Sequence, residues 1–186
     1  MTSYKPTEFE EVTIATKPIF QGQVISLQVD TVRLPNGQTA SREIVRHPGA
    51  VCVLAVIDGK LLVVDQYRKP LNKMQLEIPA GKLEPGEQPE LTARRELEEE
   101  TGYRCGSLKH IHSFYTSPGF ADELLHLYWA EDLQPGTASP DEDEFLQVEL
   151  ITLEEAKTCI RQQRISDAKT ITAIYAWQLY QLTGEW

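Results

Sequence analysis

Cysteine is scarce in this chain, and none of it is paired by spacing. Cys52, Cys105 and Cys159 are odd in number, lie far apart and form no Cys-x-x-Cys pair. That argues against a disulfide framework and a thiolate zinc site, and it points to reduced, buried thiols in a cytoplasmic compartment. Long apolar runs are missing too. No stretch approaches the ~20 residues that a membrane helix needs, and the first residues, MTSYKPTEFEEV, have neither the basic start nor the apolar core of a signal peptide. Positive charge is in deficit: 18 Lys and Arg stand against 28 Asp and Glu, a formal net charge of −10. An acidic surface repels a nucleic-acid backbone, so the expectation is no nucleic-acid partner and no membrane partner. The same deficit means that a phosphate-bearing ligand must be met by metal ions or by local Arg and Lys. There is no internal repeat, low-complexity stretch or linker. What is there, 186 residues of which 41% are hydrophobic, suffices for a soluble domain with a proper core.

Periodicity divides the chain into strands and helices. Residues 8–16 alternate weakly and 22–32 alternate strongly; Pro35-Asn36-Gly37 is a hairpin turn signal, and Ser41 to Arg46 reads as the returning strand. These make an N-terminal β unit ahead of His47-Pro48-Gly49. Strands are expected over 51–56, 60–67, 75–78, 107–116, 124–129 and 146–151, with a polar acidic loop over 133–144. Helices are expected after Pro89, over 152–163 from a Thr-x-x-Glu capping box, and over 167–182. Mixed strands with helices at separated points predict an α/β fold, a sheet sandwiched by helices.

The densest information lies in Gly81 to Tyr103, GKLEPGEQPELTARRELEEETGY. Pro89 suits a first helical turn and Gly102 the position past the last one. Glu96, Glu99 and Glu100 then share a face near the C-terminal end, where the macrodipole is already negative. Carboxylates at ~5 Å repel by about 3 kcal/mol per pair at an effective dielectric of ~20. Such crowding calls for a cation, and hard divalent ions such as Mg²⁺ bind through carboxylates and substrate phosphates. The bland alternative, a solvated acidic face, is the usual meaning of a glutamate run.

The spacing decides between them. Gly81, five residues, Glu87, seven residues, Arg95-Glu96-Leu97, one residue, Glu99-Glu100, one residue, Gly102 and Tyr103 resemble the Nudix box, with Tyr103 standing where the motif has a bulky aliphatic residue. The chain is further similar to the bacterial ADP-ribose pyrophosphatase subgroup. That likeness rests on Arg42-Glu43-Ile44-Val45, His47-Pro48-Gly49-Ala50-Val51, Gln66-Tyr67-Arg68-Lys69-Pro70, Leu76 to Gly81 and Tyr115 to Phe120, with Pro118 sixteen residues after Gly102. The resemblance implies a Nudix-type α/β/α sandwich around a mixed sheet, with residues 1–46 as an antiparallel β unit and 47–186 as the catalytic domain. It implies hydrolysis of ADP-ribose to AMP and ribose 5-phosphate with Mg²⁺, or Mn²⁺ as a substitute. It also implies a domain-swapped homodimer, with Phe20 or Arg46 contributed across the interface. Other nucleoside diphosphate sugars are the alternative substrates; a noncatalytic nucleotide sensor is the alternative class, although no box carboxylate is missing.

Roles follow on the same footing. Glu96, Glu99, Glu100 and the Ala80 carbonyl are expected to hold the metal, joined by Glu144 from the acidic loop. Arg95 is expected to orient the glutamates by charge-assisted hydrogen bonds, and Glu87 to support them; Glu98, about 100° off that face, is expected to be solvated. Glu142 is the expected general base, with an offset to the other acidic pair of Asp141-Glu142-Asp143-Glu144 left open. For the substrate, Arg68 is a candidate bidentate phosphate ligand. Glu77 is a candidate acceptor for adenine or ribose, Arg46 a weaker phosphate candidate, and Phe20 and Tyr67 candidate stacking partners. Phe120, Asp122 and Glu123 are placed in the loop expected to line the terminal ribose.

Overall fold

A computed structural model describes residues 8–140 and 144–186. Its chain divides into two compact units. The first runs to Pro48 and takes in Tyr115–Glu123; the second comprises Gly49–Phe114 and Leu124–Trp186.

In the first unit, β1 (Val12–Gln21), β2 (Ser26–Arg33) and β3 (Thr39–Arg46) form an antiparallel meander in that order. β1 extends beyond the weak alternation of 8–16. It is an edge strand, so Pro18, which has no N–H to give a ladder, is tolerated, and the register shifts between Pro18 and Phe20. The alternating run from Gly22 starts later as a strand than its pattern predicts. Gly22 to Ile25 close a turn, Gly22 N donating to Ile25 O at 2.9 Å. Asp30 is buried within the unit and accepts from Thr16 Oγ1 at 2.7 Å and Gln28 Nε2 at 2.9 Å. Tyr115–Glu123 docks on β3: Val45 N donates to Phe120 O at 2.8 Å, and Val45 bridges Ala121 in parallel.

The second unit is built on β4 (Ala50–Ile57), β5 (Lys60–Arg68), β6 (Lys73–Glu77), β7 (Ala80–Lys82), β8 (Tyr103–Arg104), β9 (Ser107–Tyr115), β10 (Leu124–Glu131), β11 (Gln134–Pro135) and β12 (Leu146–Ile151). Its sheet runs β12-β5-β4-β10-β9, with β6 on β5 and β7 on β4. β4 and β10 are parallel, while β5 pairs antiparallel with β4, β6 and β12, so the sheet is mixed. Asp58 and Gly59 turn β4 into β5 with φ of 50° and 74°, as a two-residue hairpin with the strands' own twist requires. The region read as a loop over 133–144 holds the two residues of β11, which pair with β8.

β4 reads as an apolar run because both its faces are buried. Cys52 and Leu54 point into a cluster with Ile165, Ala173, Ile174 and Trp177, against helices α2 (Leu153–Arg161) and α3 (Ala168–Thr183). Val51, Val53 and Ala55 point into the other, with Ala93 and Leu97 of helix α1 (Pro89–Thr101). Period-two alternation on one strand thus separates the helical layers of the expected sandwich. The helix ends carry their signals: Pro89 is in the first turn of α1, Gly102 caps it at φ 76°, and the Thr152–Glu155 capping box starts α2.

Candidate active site

Leu97 and Ala93, both fully buried, dock α1 on the sheet and so fix where its glutamates point. β7 hydrogen-bonds to β4 through the Cys52–Ala80, Val51–Gly81 and Ala50–Lys82 pairs, which brings the chain before the helix against its last turn. Ala80 N donates to Glu100 Oε2 at 3.1 Å. A Cβ on Gly81 would stand 1.8 Å from the Glu96 carboxyl carbon, so glycine is needed there for space rather than for a positive φ.

Arg95 gathers the carboxylates: Nη1 donates to Glu96 at 2.9 Å and to Glu99 at 2.8 Å, while Nε and Nη2 hold Glu87 at 3.3 and 3.2 Å. The Glu87 hydrogen bond is the main reason that the Arg95 pKa is raised. Glu98 leaves the cluster, as its angle predicts, yet it is paired at the surface: Arg104 Nε donates to it at 2.7 Å. Glu100 is 3% exposed. Burial pushes its carboxyl up to about 8 against the pull of the Ala80 N–H, with the charges of Glu96 and Glu144 adding to the rise and Lys169 opposing it. Burial also raises Glu96, which Arg95 opposes and Glu99 and Glu144 reinforce. Glu144 therefore acts on the same carboxylates as the helix does. Glu142 lies outside the described residues.

Among the described residues, no group of three or more His, Cys, Asp or Glu is arranged as a formed metal site; Glu96 and Glu99 are turned onto Arg95 instead. The donor set nonetheless fits a hard divalent cation. It is all oxygen, it is anionic beyond what Arg95 neutralises, and Glu100 is a buried carboxylate with a single backbone N–H partner.

A second constellation joins β5, β6 and α3. Arg68 Nε and Nη2 donate to Glu77 Oε1 and Oε2 at 2.8 and 2.7 Å. Lys169 Nζ donates to Glu77 Oε2 and, at 3.0 Å, to Asp167 Oδ1, which also caps α3 by accepting from Thr170 N at 3.0 Å. Burial pushes the Glu77 carboxyl up, but Arg68 and Lys169 together outweigh it and hold it below the ordinary range. Glu77 and Arg68 are thus brought together, engaged with each other. Lys169 and Asp167 were not singled out from the sequence beyond the start of a helix. Lys169 lies 92 residues from Glu77 and carries no local signal.

A group with a lowered native pKa contributes stability that is present above its unfolded value, about 4.5 for Glu77, and that is lost as pH falls through the native one. Glu77→Gln is expected to cost up to about 3 kcal/mol at neutral pH, since Arg68 keeps solvent contact. In acid melts the gap between wild type and variant should close below pH 4.5; a gap independent of pH would refute the assignment.

The remaining candidates other than Tyr67 belong to the first unit. Arg46 Nη1 donates to Asp122 Oδ2 at 2.9 Å, and Asp122 Oδ1 accepts from His47 N at 2.8 Å. Thr116 Oγ1 donates to Glu123. Phe120 is 58% exposed and Phe20 55%. Phe20 lines a shallow groove with Pro18, Ile19, Ser26 and Leu27. Tyr67, in the second unit, is half exposed.

Comparison with known proteins bears on this geometry. The NUDIX domain model matches residues 45–174, and a nucleoside diphosphate sugar hydrolase N-terminal domain model matches 11–45. An ADP-ribose pyrophosphatase of Bacillus subtilis (strain 168) is 56% identical over 91% of this chain and 94% of its own. A methanol dehydrogenase activator of Bacillus methanolicus is 56% identical over 93% of this chain and 95% of its own. The crystal structure of an ADP compounds hydrolase superposes with a TM-score of 0.84 at 18% identity, covering 97% of this chain and 99% of that one, which shows the fold.

Proposed function

This chain belongs to the Nudix hydrolase family, and on that premise we propose that it hydrolyses the pyrophosphate bond of ADP-ribose to AMP and ribose 5-phosphate, with Mg²⁺ as the cation and Mn²⁺ as a substitute. The observation that carries this reading is the complete carboxylate cluster of α1, packed on Ala80 and Gly81, in a chain so similar to an ADP-ribose pyrophosphatase. In such a hydrolysis, water adds to one phosphorus, the bridging P–O bond breaks toward the other phosphate, and the water proton passes to a base. Both phosphates are anionic, so catalysis rests on neutralising charge and aligning the water. Glu96, Glu99, Glu100, Glu144 and the Ala80 carbonyl would hold the cation, which when bound supplies charge neutralisation at the diphosphate. Arg95 keeps Glu96 and Glu99 in place, and Glu87 keeps Arg95 in place. Glu142 is the proposed base, with its acidic neighbours as alternatives. Arg68, Glu77, Arg46, Phe20, Phe120 and Glu123 are the proposed substrate contacts.

Among the described residues no helix is long and apolar enough to cross a membrane, and we place the enzyme in the cytoplasm. We further propose that residues 1–46 serve a domain-swapped homodimer. Every residue of β1 is exposed, and Val12, Ile14, Ile19 and Phe20 give that strand an exposed apolar surface. Light scattering should return the mass of two chains; a fully active single chain would remove the idea.

The activity is tested by incubating the protein and Mg²⁺ with ADP-ribose, ADP-glucose, GDP-mannose, NADH, dinucleoside polyphosphates and dNTPs. Preferred turnover of ADP-ribose is expected. Preference for GDP-mannose or ADP-glucose would shift the substrate to another nucleoside diphosphate sugar, and binding without turnover would make the chain a sensor. A second reading, activation of a dehydrogenase, is favoured by one observation: the relative named a methanol dehydrogenase activator is as similar as the pyrophosphatase. A dehydrogenase assay with wild type and Glu100→Gln tests it. Activation lost with Glu100 would work through hydrolysis, activation retained would work through contact, and no activation would dismiss it.

A further inference from the structure

Lys169 is a buried cation that the Nudix box does not explain. It stands two residues after the Asp167 cap of α3, with only 12% of its side chain exposed. A lysine is withdrawn from water only against compensating charge, and here Nζ is shared between Glu77 and Asp167. Glu77 in turn holds Arg68 by its Nε–Nη2 edge. A guanidinium carries a second fork, between Nη1 and Nη2. In Arg68 the Nη1 group has no hydrogen-bond partner among the described residues, and the side chain is 38% exposed. One edge is therefore anchored and the other is open to an oxyanion.

We propose that Lys169 is a positioning residue for diphosphate recognition: it fixes Glu77 and, through it, aims the open edge of Arg68 at a phosphate of the substrate. Formal charge points the same way. Arg68 and Lys169 cancel Glu77 and Asp167; without Lys169 the group is left at −1. Arg68 and Lys169 also both act on Glu100, so the excess charge would lie within electrostatic reach of the carboxylate cluster. With Asp167 beside it, the Arg68–Glu77 pair alone would carry an excess negative charge and repel a dianion. The lysine cancels that excess and keeps Glu77, and through it Arg68, rigid. The assignment rests on the proposed diphosphate hydrolysis and adds to it a recognition device that the box does not contain.

The test is a double-mutant cycle in the full-length enzyme with Lys169→Met, Arg68→Met and the pair, read as KM and kcat for ADP-ribose and as ADP affinity by calorimetry. Lys169→Met should raise KM about tenfold or more with kcat within about threefold, Lys169→Arg should recover most of the loss, and the double variant should lose little beyond the larger single one. An unchanged KM in Lys169→Met, or effects of Lys169→Met and Arg68→Met that multiply, would overturn the proposal. If Lys169→Met does not fold, Lys169→Met with Glu77→Gln removes the bare buried carboxylate and should still raise KM; a wild-type KM there would equally overturn it. Wild type that fails to turn over ADP-ribose would sink the activity, while ADP affinity would still report on Lys169.

Discussion

Glu100→Gln should lower kcat by about a thousandfold, or more, without loss of fold. The carboxylate is buried, among the described residues its hydrogen bond is with Ala80 N, and its neighbours Glu96 and Glu144 oppose its charge. The Ala80 N–H and the nearby cations Lys169 and Arg68 favour ionising it, but burial outweighs them. Glutamine has the same size, and its amide oxygen can accept from Ala80 N. The fold therefore keeps that hydrogen bond and no longer holds a group that burial keeps from ionising. Thermal melts without metal should show a midpoint at or above that of wild type. What disappears is the anionic oxygen that a divalent cation needs. Turnover close to wild type would refute the metal role of Glu100, and a collapsed fold would show its role to be structural.

Gly81→Ala should be nearly as damaging to activity by a different route. The new methyl would overlap the Glu96 carboxyl group, 1.8 Å from its carbon and 1.9 Å from Oε1. The obstructing atoms are the end of a side chain, so Glu96 swings away and the backbone survives; the stability loss should stay within the ~1 kcal/mol typical of single substitutions. Glu96 then gives up its place on Arg95 and in the cluster. A fall in kcat/KM of about a hundredfold, with a higher Mg²⁺ requirement, is the expected result. Pairing Gly81→Ala with Glu96→Ala should add almost nothing to Glu96→Ala alone, because both remove the same carboxylate. Independent, multiplying losses would show that Gly81 matters for something other than the space that Glu96 occupies.

Much of the architecture is legible along the chain because the signals are local. The apolar runs of β4 and β5 reflect burial on both faces, Asp58-Gly59 can adopt the positive φ of a tight hairpin, and Thr152 with Glu155 closes a capping box within one turn. The misreadings arise where distant parts compete with local pattern. β1 runs past Pro18 because an edge strand has a free side. Gly22 to Ile25 alternate like a strand but turn, since Gly22 leaves room that a side chain would take from Phe20. Tyr115–Glu123 joins the first unit through hydrogen bonds to Val45, more than 70 residues away, which no periodicity encodes.

The sequence by itself determined the family and the carboxylate helix, because the box residues lie on one continuous segment whose spacing and 3.6-residue period put Glu96, Glu99 and Glu100 on one face. Only the tertiary structure decided what surrounds those charges: the burial of Glu100, the clearance at Gly81, and the Arg68–Glu77–Lys169–Asp167 chain. Desolvation and ion pairing depend on which segments meet in space, and β5, β6 and α3 meet only once the sheet has formed.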